Sequence, residues 1–352
     1  MAIFPIPGVK ISGLSACVPS RKYENLNYEL IGEKERRTLI KTIGVESKRH
    51  VEAGTTSSDL CYHAAERLLK DMGWNREEVD LLVFVSQTRD YLMPATACIL
   101  QDRLGLSKNC LAFDLDLGCS GYVYGLSVIF SMLANAGLKK ALLLTGEIPT
   151  PNINYKDKST FPLFGDAGAA TAIEYDGISE AWFNLQTDGS GHKAIHIPDG
   201  AMRNYPDPQS TFKEEKIADG IIRNRAQIAL DGMAVFNFTI QEVRPNVLSL
   251  LQKADKTKEE IDYFVFHQAN RLMNETIRKQ LKIDSEKYPY SIDRFGNTSS
   301  VSIPLTMVAE LRNKITEGRN RMLFAGFGVG LSWGSCLLET DRVVCPELIE
   351  IK

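Results

Sequence analysis

The sequence lacks any excess of positive charge. Its 352 residues include 41 Lys and Arg against 44 Asp and Glu, which leaves a formal net charge of −3. A protein that binds the nucleic acid backbone gains much of its affinity from clustered basic side chains. We therefore expect no nucleic acid partner for this chain.

The chain also lacks the cysteine spacings of a disulfide framework or a zinc site. Its seven cysteines are odd in number, scattered and without a CxxC pair, a usage typical of reduced thiols in the cytosol. HExxH and EF-hand patterns are missing as well, so we predict no metal. The opening segment MAIFPIPGVK has no basic stretch ahead of its apolar residues, so we expect a cytoplasmic protein without a signal peptide.

Charge is missing altogether from the 22 residues between Leu117 and Leu138. A run of this length can span a membrane, but small and polar residues are scattered through this one and strand-like sequences flank it. A helix that is apolar on all sides also occurs in the core of a large protein. We interpret the run as a helix buried between layers of protein and predict no membrane segment.

What the chain does contain is an internal repeat. The segments EEVDLLVFVSQ and EEIDYFVFHQA lie 182 residues apart, and two weaker pairs follow in the same order at offsets of 178 and 180. One of the weaker pairs sets Cys119 opposite Asn297. We predict two similar α/β halves, residues 1–176 and 177–352, each with a mostly parallel sheet covered by helices.

Cys119 follows a strand and a glycine, in the sequence FDLDLGCSG, and opens the uncharged helix. The first turn of a helix favours an anion because its N–H groups are unpaired and its dipole is positive there. A free thiol is mostly protonated at pH 7, and we expect the helix start and a nearby histidine to lower the pKa of Cys119. Cys119 is therefore the candidate nucleophile, although most free cysteines are small buried side chains.

Two residues of the second half are its candidate partners. His267 ends the apolar strand of YFVFHQAN, and catalytic groups in α/β sheets gather at the carboxyl ends of strands. Asn297 lies in DRFGNTSSVSIPL, so a pseudo-twofold axis would bring its turn to face that of Cys119. Both have structural alternatives, since a histidine can be a satisfied core residue and asparagine is common in turns and at helix N-caps.

The glycine-rich segment FAGFGVGLSWGS is not a dinucleotide loop, because a strand rather than a helix follows it. We therefore predict no cofactor. A backbone that approaches a ligand closely instead suits an N–H group directed at a substrate oxygen.

Together the segments DLGCSG, VFHQAN, RFGNTSSVSIP and GFGVGLSWGS resemble β-ketoacyl-acyl carrier protein synthase III, a thiolase-like condensing enzyme, over nearly the whole chain. The resemblance implies an α/β fold with five layers, α/β/α/β/α, and a homodimer. It implies a catalytic triad of Cys119, His267 and Asn297, with an oxyanion hole made by the backbone N–H groups of Cys119 and Val329. In such an enzyme of fatty acid biosynthesis the cysteine takes an acyl group from a thioester. Decarboxylative condensation of that acyl group with malonyl-acyl carrier protein then gives a 3-oxoacyl thioester.

The resemblance also implies partners and binding residues. The acyl donor is a thioester of coenzyme A or of acyl carrier protein. We expect Phe327 to line the acyl pocket, together with Met93 from the loop RDYLMPATA, which resembles a loop that enters the pocket of the partner subunit. Arg271, Arg278 and Lys282 share one face of a helix by their spacing; they form either a solvated face or a docking patch for the acidic carrier protein.

Other functions stay open at this point. The family commonly grips coenzyme A with an aromatic residue and an arginine where this chain has Thr38 and Thr42, so the donor can instead be bound to a carrier protein. A type III polyketide synthase-like enzyme shares the Cys–His–Asn triad. An acyltransferase would pass the acyl group from Cys119 to an alcohol or an amine.

Overall fold

Strands and helices alternate along most of the chain in the computed structural model, which describes residues 2–352. The strands are β1 (Ala2–Pro19), β2 (Lys22–Glu24), β3 (Ser47–Arg49), β4 (Leu81–Val85), β5 (Leu111–Leu115), β6 (Lys140–Glu147), β7 (Ala167–Thr187), β8 (Ile195–His196), β9 (Glu215–Ala218), β10 (Ile221–Arg223), β11 (Ala229–Leu230), β12 (Tyr263–Phe266), β13 (Arg319–Gly328), β14 (Ser332–Asp341) and β15 (Ile349–Ile351). The helices are α1 (Glu33–Ile43), α2 (Ser57–Met72), α3 (Thr96–Arg103), α4 (Gly121–Ala136), α5 (Gly232–Lys253), α6 (Arg271–Leu281), α7 (Ile292–Phe295) and α8 (Ser302–Glu317).

Two long strands, β1 and β7, join two half-sheets. The first part of β7 pairs with β6 as far as Glu174, and its last part pairs with β14 from Trp182 onward. β1 runs antiparallel to both parts of β7, and its register shifts twice, around Gly8 and Gly13. Such irregularities bend a strand and increase its twist, which allows one strand to serve both half-sheets. The strand order is β5–β4–β6–β7 on one side and β7–β14–β13–β12 on the other.

The proposed division of the chain falls within β7. Residues 176 and 177 lie between the segment of β7 that pairs with β6 and the segment that pairs with β14. β1 crosses the same division, because its first residues pair with the later part of β7 and Val9–Cys17 pair with the earlier part. The two halves therefore share these strands, and their treatment as separate domains stays a proposal.

Five layers follow from the packing of the helices. α4 and α8 lie between the half-sheets and share one apolar core with both of them. α2 and α3 cover the outer face of the first half-sheet, and α5 and α6 cover that of the second. The order α/β/α/β/α confirms the fold class predicted from the sequence. The prediction of a mostly parallel sheet in each half is wrong for the second half, where only β12 and β13 are parallel and β14 is antiparallel to both β13 and β7.

The internal repeat corresponds to equivalent elements in the two halves. β4 and β12 are the short buried strands of the first pair of segments, and α4 and α8 are the central helices of the second. β6 and β13 correspond to the third pair. Cys119 and Asn297 consequently occupy the turns that precede the two central helices.

The uncharged run forms α4, which is largely buried over its first three turns and exposed only at its last. Gly137 ends the helix in the left-handed conformation, with φ of 72°, a backbone geometry that glycine adopts without steric cost. None of the helices within residues 2–352 combines the length and the apolar character needed to cross a bilayer. The position of α4 between two sheets explains its composition.

Candidate active site

The candidate catalytic residues converge at one edge of the half-sheets. β4, β5 and β6 are mutually parallel, so their carboxyl ends share an edge. Cys119 follows β5, and His267 follows β12 directly. Together with Asn297 they line one cavity of about 640 Å³. The structure therefore brings together the three residues that the sequence singled out.

The rest of the cavity wall is mainly apolar. Its apolar lining includes Ile43, Leu163, Ile195, Phe236, Leu272 and Phe327. Such a wall favours an alkyl chain over a charged ligand, because burial of apolar surface is the main source of binding energy there.

Cys119 is held in the turn between β5 and α4. The turn closes with a hydrogen bond from Gly121 N–H to Gly118 O, 2.7 Å long. The thiol lies against the end of β13, where the backbone of Gly328 is so close that a Cβ atom built there would lie 2.7 Å from the Cβ of Cys119. Cys119 is 5% exposed, so only a ligand that enters the cavity can reach its sulfur.

The expected lowering of the thiol pKa is wrong for this structure. Burial raises the pKa of Cys119 above its ordinary value of about 9, and the hydroxyl of Ser299 and the N–H groups of Val329 and Cys119 itself oppose this only in part. The sulfur lies 3.8 Å from Ser299 Oγ. Desolvation of a thiolate outweighs the helix start here, so the resting thiol is protonated.

His267 is buried at 1% exposure and is uncharged. Burial lowers the pKa of its imidazole from 6.5 to about 3, although a carbonyl contact from Ser299 favours the charged form. Its Nδ1 lies 2.8 Å from Ser302 Oγ, and its ring meets that of Phe327 edge to face at 5.4 Å. These contacts fix the plane of the ring and leave Nε2 as the nitrogen that can meet a ligand.

The Asn297 side chain is oriented by two backbone groups. Its Oδ1 accepts the Ser299 N–H at 2.9 Å, and its Nδ2 donates to Ala269 O at 3.2 Å. Its own N–H donates to Leu163 O at 2.9 Å. One of the two Nδ2 protons therefore remains for a ligand in the cavity.

The predicted pocket residues divide into two groups. Phe327 and Val329 line the cavity beside Cys119. Met93 does not line the cavity of its own chain; it is 83% exposed, in a loop where Tyr91 and Leu92 are exposed as well. Its expected position in the pocket thus depends on a second subunit.

The predicted docking residues lie along α6 and just beyond its end. Arg271 stacks on the Tyr290 ring, with 3.6 Å between the guanidinium carbon and the ring centre. Arg278 is 17% exposed and is paired with Glu275 at 2.9 Å. Lys282 follows the helix and is exposed. Lys282 therefore has the most available charge. Arg271 is 43% exposed and lies 3.9 Å from Glu275, whereas the charge of Arg278 is largely neutralised by the same glutamate.

The two threonines at the expected coenzyme A positions lie on α1 and make hydrogen bonds within that helix. Thr38 Oγ1 donates to the carbonyl of Lys34 and Thr42 Oγ1 to that of Thr38, each at 2.9 Å along α1. Both hydroxyls are thus used within the helix. They offer neither the stacking surface nor the cation that a nucleotide requires.

Several polar residues of the cavity were not predicted from the sequence, and three of them lie near the nucleophile. Glu147, at the end of β6, Thr88 and Ser299 all line the same cavity as Cys119. The position of Glu147 at the carboxyl end of a buried strand was the available signal. Groups of three or more His, Cys, Asp or Glu side chains arranged to hold a metal ion are not found within residues 2–352.

Comparison with known proteins assigns the chain to a family. The family described as 3-oxoacyl-[acyl-carrier-protein] synthase III matches residues 113–189, and its C-terminal domain matches residues 251–340. A putative 3-oxoacyl-[acyl-carrier-protein] synthase 3 from Campylobacter jejuni is 33% identical over 334 residues, 94% of this chain and 93% of that protein. A β-ketoacyl-[acyl-carrier-protein] synthase III from Lactococcus lactis is 29% identical, over 94% and 98% of the two chains.

A solved structure extends the likeness to three dimensions. The 3-oxoacyl-(acyl-carrier protein) synthase from Burkholderia xenovorans is 36% identical and covers 99% of both chains, with a TM-score of 0.93. The likeness in sequence and fold thus extends over almost the whole chain. On this ground the chain belongs to the β-ketoacyl-[acyl-carrier-protein] synthase III family and is an acyl-transferring condensing enzyme.

Proposed function

We propose that the enzyme loads an acyl group onto Cys119 and then condenses it with malonyl-acyl carrier protein, with loss of CO₂. The observation that carries this proposal is a single apolar cavity that joins a buried thiol, an uncharged imidazole and a carboxamide. A nucleophile and two neutral donors are what an acyl transfer followed by formation of an enolate requires.

In the first half-reaction the sulfur of Cys119 attacks the carbonyl carbon of an acyl thioester. The tetrahedral intermediate carries a negative oxygen, for which we propose the N–H groups of Cys119 and Val329 as donors. Both groups already lie against the sulfur and favour its charged form. In related acyl transfers one such donor is worth about 2.7–4 kcal/mol.

In the second half-reaction malonyl thioester loses CO₂ and becomes an enolate. His267 and Asn297 would donate hydrogen bonds to its oxygen, and the carbanion then attacks the acyl group on Cys119. Ser302 Oγ lies 2.8 Å from both His267 Nδ1 and Ser299 O, so its single proton has two competing acceptors. The donor role that we propose for Nε2 requires the state in which this proton is directed to Nδ1 and Nε2 carries the ring proton. The amide of Asn297 has no titration in the working range and donates at any pH.

We expect the rate of CO₂ release from the acylated enzyme to be independent of pH between about 5.5 and 7, below the range in which Glu147 of the same cavity ionises. Burial lowers the pKa of His267 to about 3, so the imidazole stays neutral throughout this range. Release of labelled CO₂ from malonyl thioester after a fixed acylation step at one pH measures this directly. A decrease below pH 6.5 that follows one proton would show that His267 becomes charged and would contradict its role as a neutral donor.

The same burial carries a cost in stability at acid pH. The unfolded state, with an ordinary histidine pKa near 6.5, binds a proton that the folded state excludes until about pH 3. The contribution of His267 to the free energy of unfolding is therefore complete above pH 6.5 and decreases as the pH falls toward 3.

The backbone at Gly328 is expected to be intolerant of a side chain. In Gly328→Ala the new Cβ would lie 2.7 Å from the Cβ and 2.8 Å from the Sγ of Cys119, so the nucleophile must move. We expect the rate of Cys119 acylation to fall at least about 100-fold, since small misplacements of reacting atoms have effects of this size.

Gly189→Ala is the matched control for that prediction. A Cβ at Gly189 meets no atom within 4 Å, and we expect acylation close to wild type. Acylation rates measured by intact-protein mass spectrometry compare the two variants. Equal rates in both would mean that the turn after β13 does not constrain the sulfur.

Acyl carrier protein is the proposed partner for the malonyl substrate, and we propose it for the acyl donor as well. Thr38 and Thr42 offer no grip for a nucleotide, whereas Arg271 and Lys282 can meet an acidic surface. We also propose a homodimer in which Met93 reaches the cavity of the partner subunit. Its 83% exposure in a loop of exposed apolar side chains supports this position.

A two-step assay tests the proposed function against its rivals. The enzyme is first loaded with acyl groups of graded length on coenzyme A or carrier protein, and malonyl-carrier protein is then added. We expect acyl-Cys119, CO₂ and a 3-oxoacyl thioester. Acylation without decarboxylation would favour transfer to an alcohol or amine, and repeated extension of one chain would favour a type III polyketide synthase-like reaction.

A further inference from the structure

A buried carboxyl group in the cavity has no role in the two proposed half-reactions. Glu147 ends β6, is 3% exposed and lines the cavity. Its oxygens accept hydrogen bonds from the Gln87 N–H and the Thr88 hydroxyl, each at 3.2 Å. Within residues 2–352 it forms no ion pair with a basic side chain. A buried carboxylate without a cation is costly to fold, and such groups are concentrated at functional sites.

The Ser299 hydroxyl links this carboxyl group to the nucleophile. Ser299 Oγ lies 3.8 Å from Cys119 Sγ and 3.5 Å from Glu147 Oε1. Ser299 has a left-handed backbone with φ of 51°, which is uncommon for a residue with a side chain. Asn297 supports this conformation by accepting the Ser299 N–H. The turn therefore holds the hydroxyl between the sulfur and the carboxyl group.

The charges around Glu147 suit a proton acceptor. Burial, assisted by Cys119 and Asp116, raises the pKa of Glu147 to about 8, and the hydrogen bond from Gln87 opposes this. Asp116 itself lies 3.5 Å from Arg89, which moderates its effect. The thiol has a raised pKa as well, so it gains from a nearby base when it attacks.

Building on the proposed function, we propose that Glu147 accepts the thiol proton of Cys119 through the Ser299 hydroxyl during acylation. The S–H proton passes to Ser299 Oγ while the Ser299 O–H proton passes to Glu147, and the new S–C bond forms. When the tetrahedral intermediate collapses, the C–S bond to the donor breaks and the departing thiolate takes the proton from Glu147. The carboxylate is regenerated, and no other reactant is consumed. Ser299 touches the reacting sulfur, and Glu147 acts through it.

The dependence of acylation on pH tests this relay. In the wild type we expect the single-turnover rate of Cys119 acylation to rise with pH and to level off above about 8, because Glu147 is half ionised at pH 8 and ionised fully only above it. Glu147→Gln keeps the shape of the side chain and Ser299→Ala keeps the turn, and at pH 7 each should acylate at least about 100-fold more slowly. In both variants the inflection near pH 8 should disappear and the rate should continue to rise above pH 9 as the thiol itself ionises.

The double variant separates a relay from a structural effect. When two residues belong to one proton path, removal of both lowers the rate little more than removal of either one. The double variant Glu147→Gln with Ser299→Ala should therefore acylate within a few-fold of the rate of the slower single variant. Multiplicative losses would indicate two independent structural defects and would overturn the relay. Glu66→Gln removes a half-buried carboxylate outside the cavity, which is paired with Arg76, and controls for general loss of charge and stability.

Failure of the relay is distinguishable from failure of the proposed function. If Glu147→Gln is acylated at the wild-type rate with the wild-type pH profile, the relay is wrong, while CO₂ release and product formation by the wild type still support condensation. If the wild type forms no acyl-Cys119 from any donor, the proposed function itself is wrong. Thermal unfolding of each variant shows that a slow rate is not caused by loss of the fold.

Discussion

Cys119→Ala is expected to abolish formation of the acyl-enzyme and to reduce condensation by about 10⁴-fold or more. The carbanion has no acyl group to attack once the sulfur is absent, and loss of a covalent nucleophile is among the largest single effects known in enzymes. The fold should persist, because alanine fills most of the same buried site with a loss of one atom. Intact-protein mass spectrometry after incubation with an acyl thioester measures the acyl adduct.

Cys98→Ala provides the matched control for this result. Cys98 is exposed on α3, outside the cavity, and we expect its replacement to leave acyl labelling unchanged. Stoichiometric labelling that survives in Cys119→Ala and disappears in Cys98→Ala would transfer the role of nucleophile to the exposed thiol. Peptide mapping of the labelled wild type locates the adduct independently.

His267→Ala and Asn297→Asp are expected to separate the two half-reactions. Each variant should still form acyl-Cys119, but CO₂ release from malonyl thioester should fall by about 10²–10³-fold, the size typical for loss of one oxyanion donor. Asn297→Asp is the sharper change, because a carboxylate keeps the acceptor for Ser299 N–H and loses the donor that the enolate needs. It also sets a negative charge beside a developing one.

Acylation by the same protein samples is the internal control for this second result. His63→Ala, at an exposed position on α2, controls for the removal of a histidine elsewhere. Loss of acylation and decarboxylation in equal measure would mean that His267 and Asn297 serve the first half-reaction or the fold. If both variants released CO₂ at the wild-type rate, other residues would have to donate the hydrogen bonds to the enolate.

The convergence of Cys119, His267 and Asn297 could be predicted because each of them lies in a local pattern that indicates its place. Cys119 and Asn297 occupy equivalent turns of a repeat, and His267 ends a strand whose apolar run identifies it. Parallel strands bring their carboxyl ends to a common edge, so a duplicated α/β chain implies that such groups meet. The structure confirms that the three residues line one cavity.

Other features could not be predicted, for physical reasons that differ. The pKa of Cys119 depends on its burial and on the opposing hydrogen bonds from Ser299 and Val329, which lie about 200 residues away along the chain. The relation of Met93 to the pocket depends on a surface of another subunit. β1 and β7 belong to both half-sheets because they bend, and these bends become visible only from the pairing of each strand with several partners.

The amino-acid sequence by itself thus determined the main helices and strands of this protein, its internal repeat and its family. Periodicity, turn residues and recurring segments are all properties of short stretches of chain. The tertiary structure decided which polar groups face one another and in which protonation state. Glu147 and Ser299 are 152 residues apart and are unremarkable in sequence, yet they lie 3.5 Å from each other beside the nucleophile. Desolvation and proton transfer depend on the distance between atoms in space, and this distance cannot be derived from the number of residues between them in the sequence.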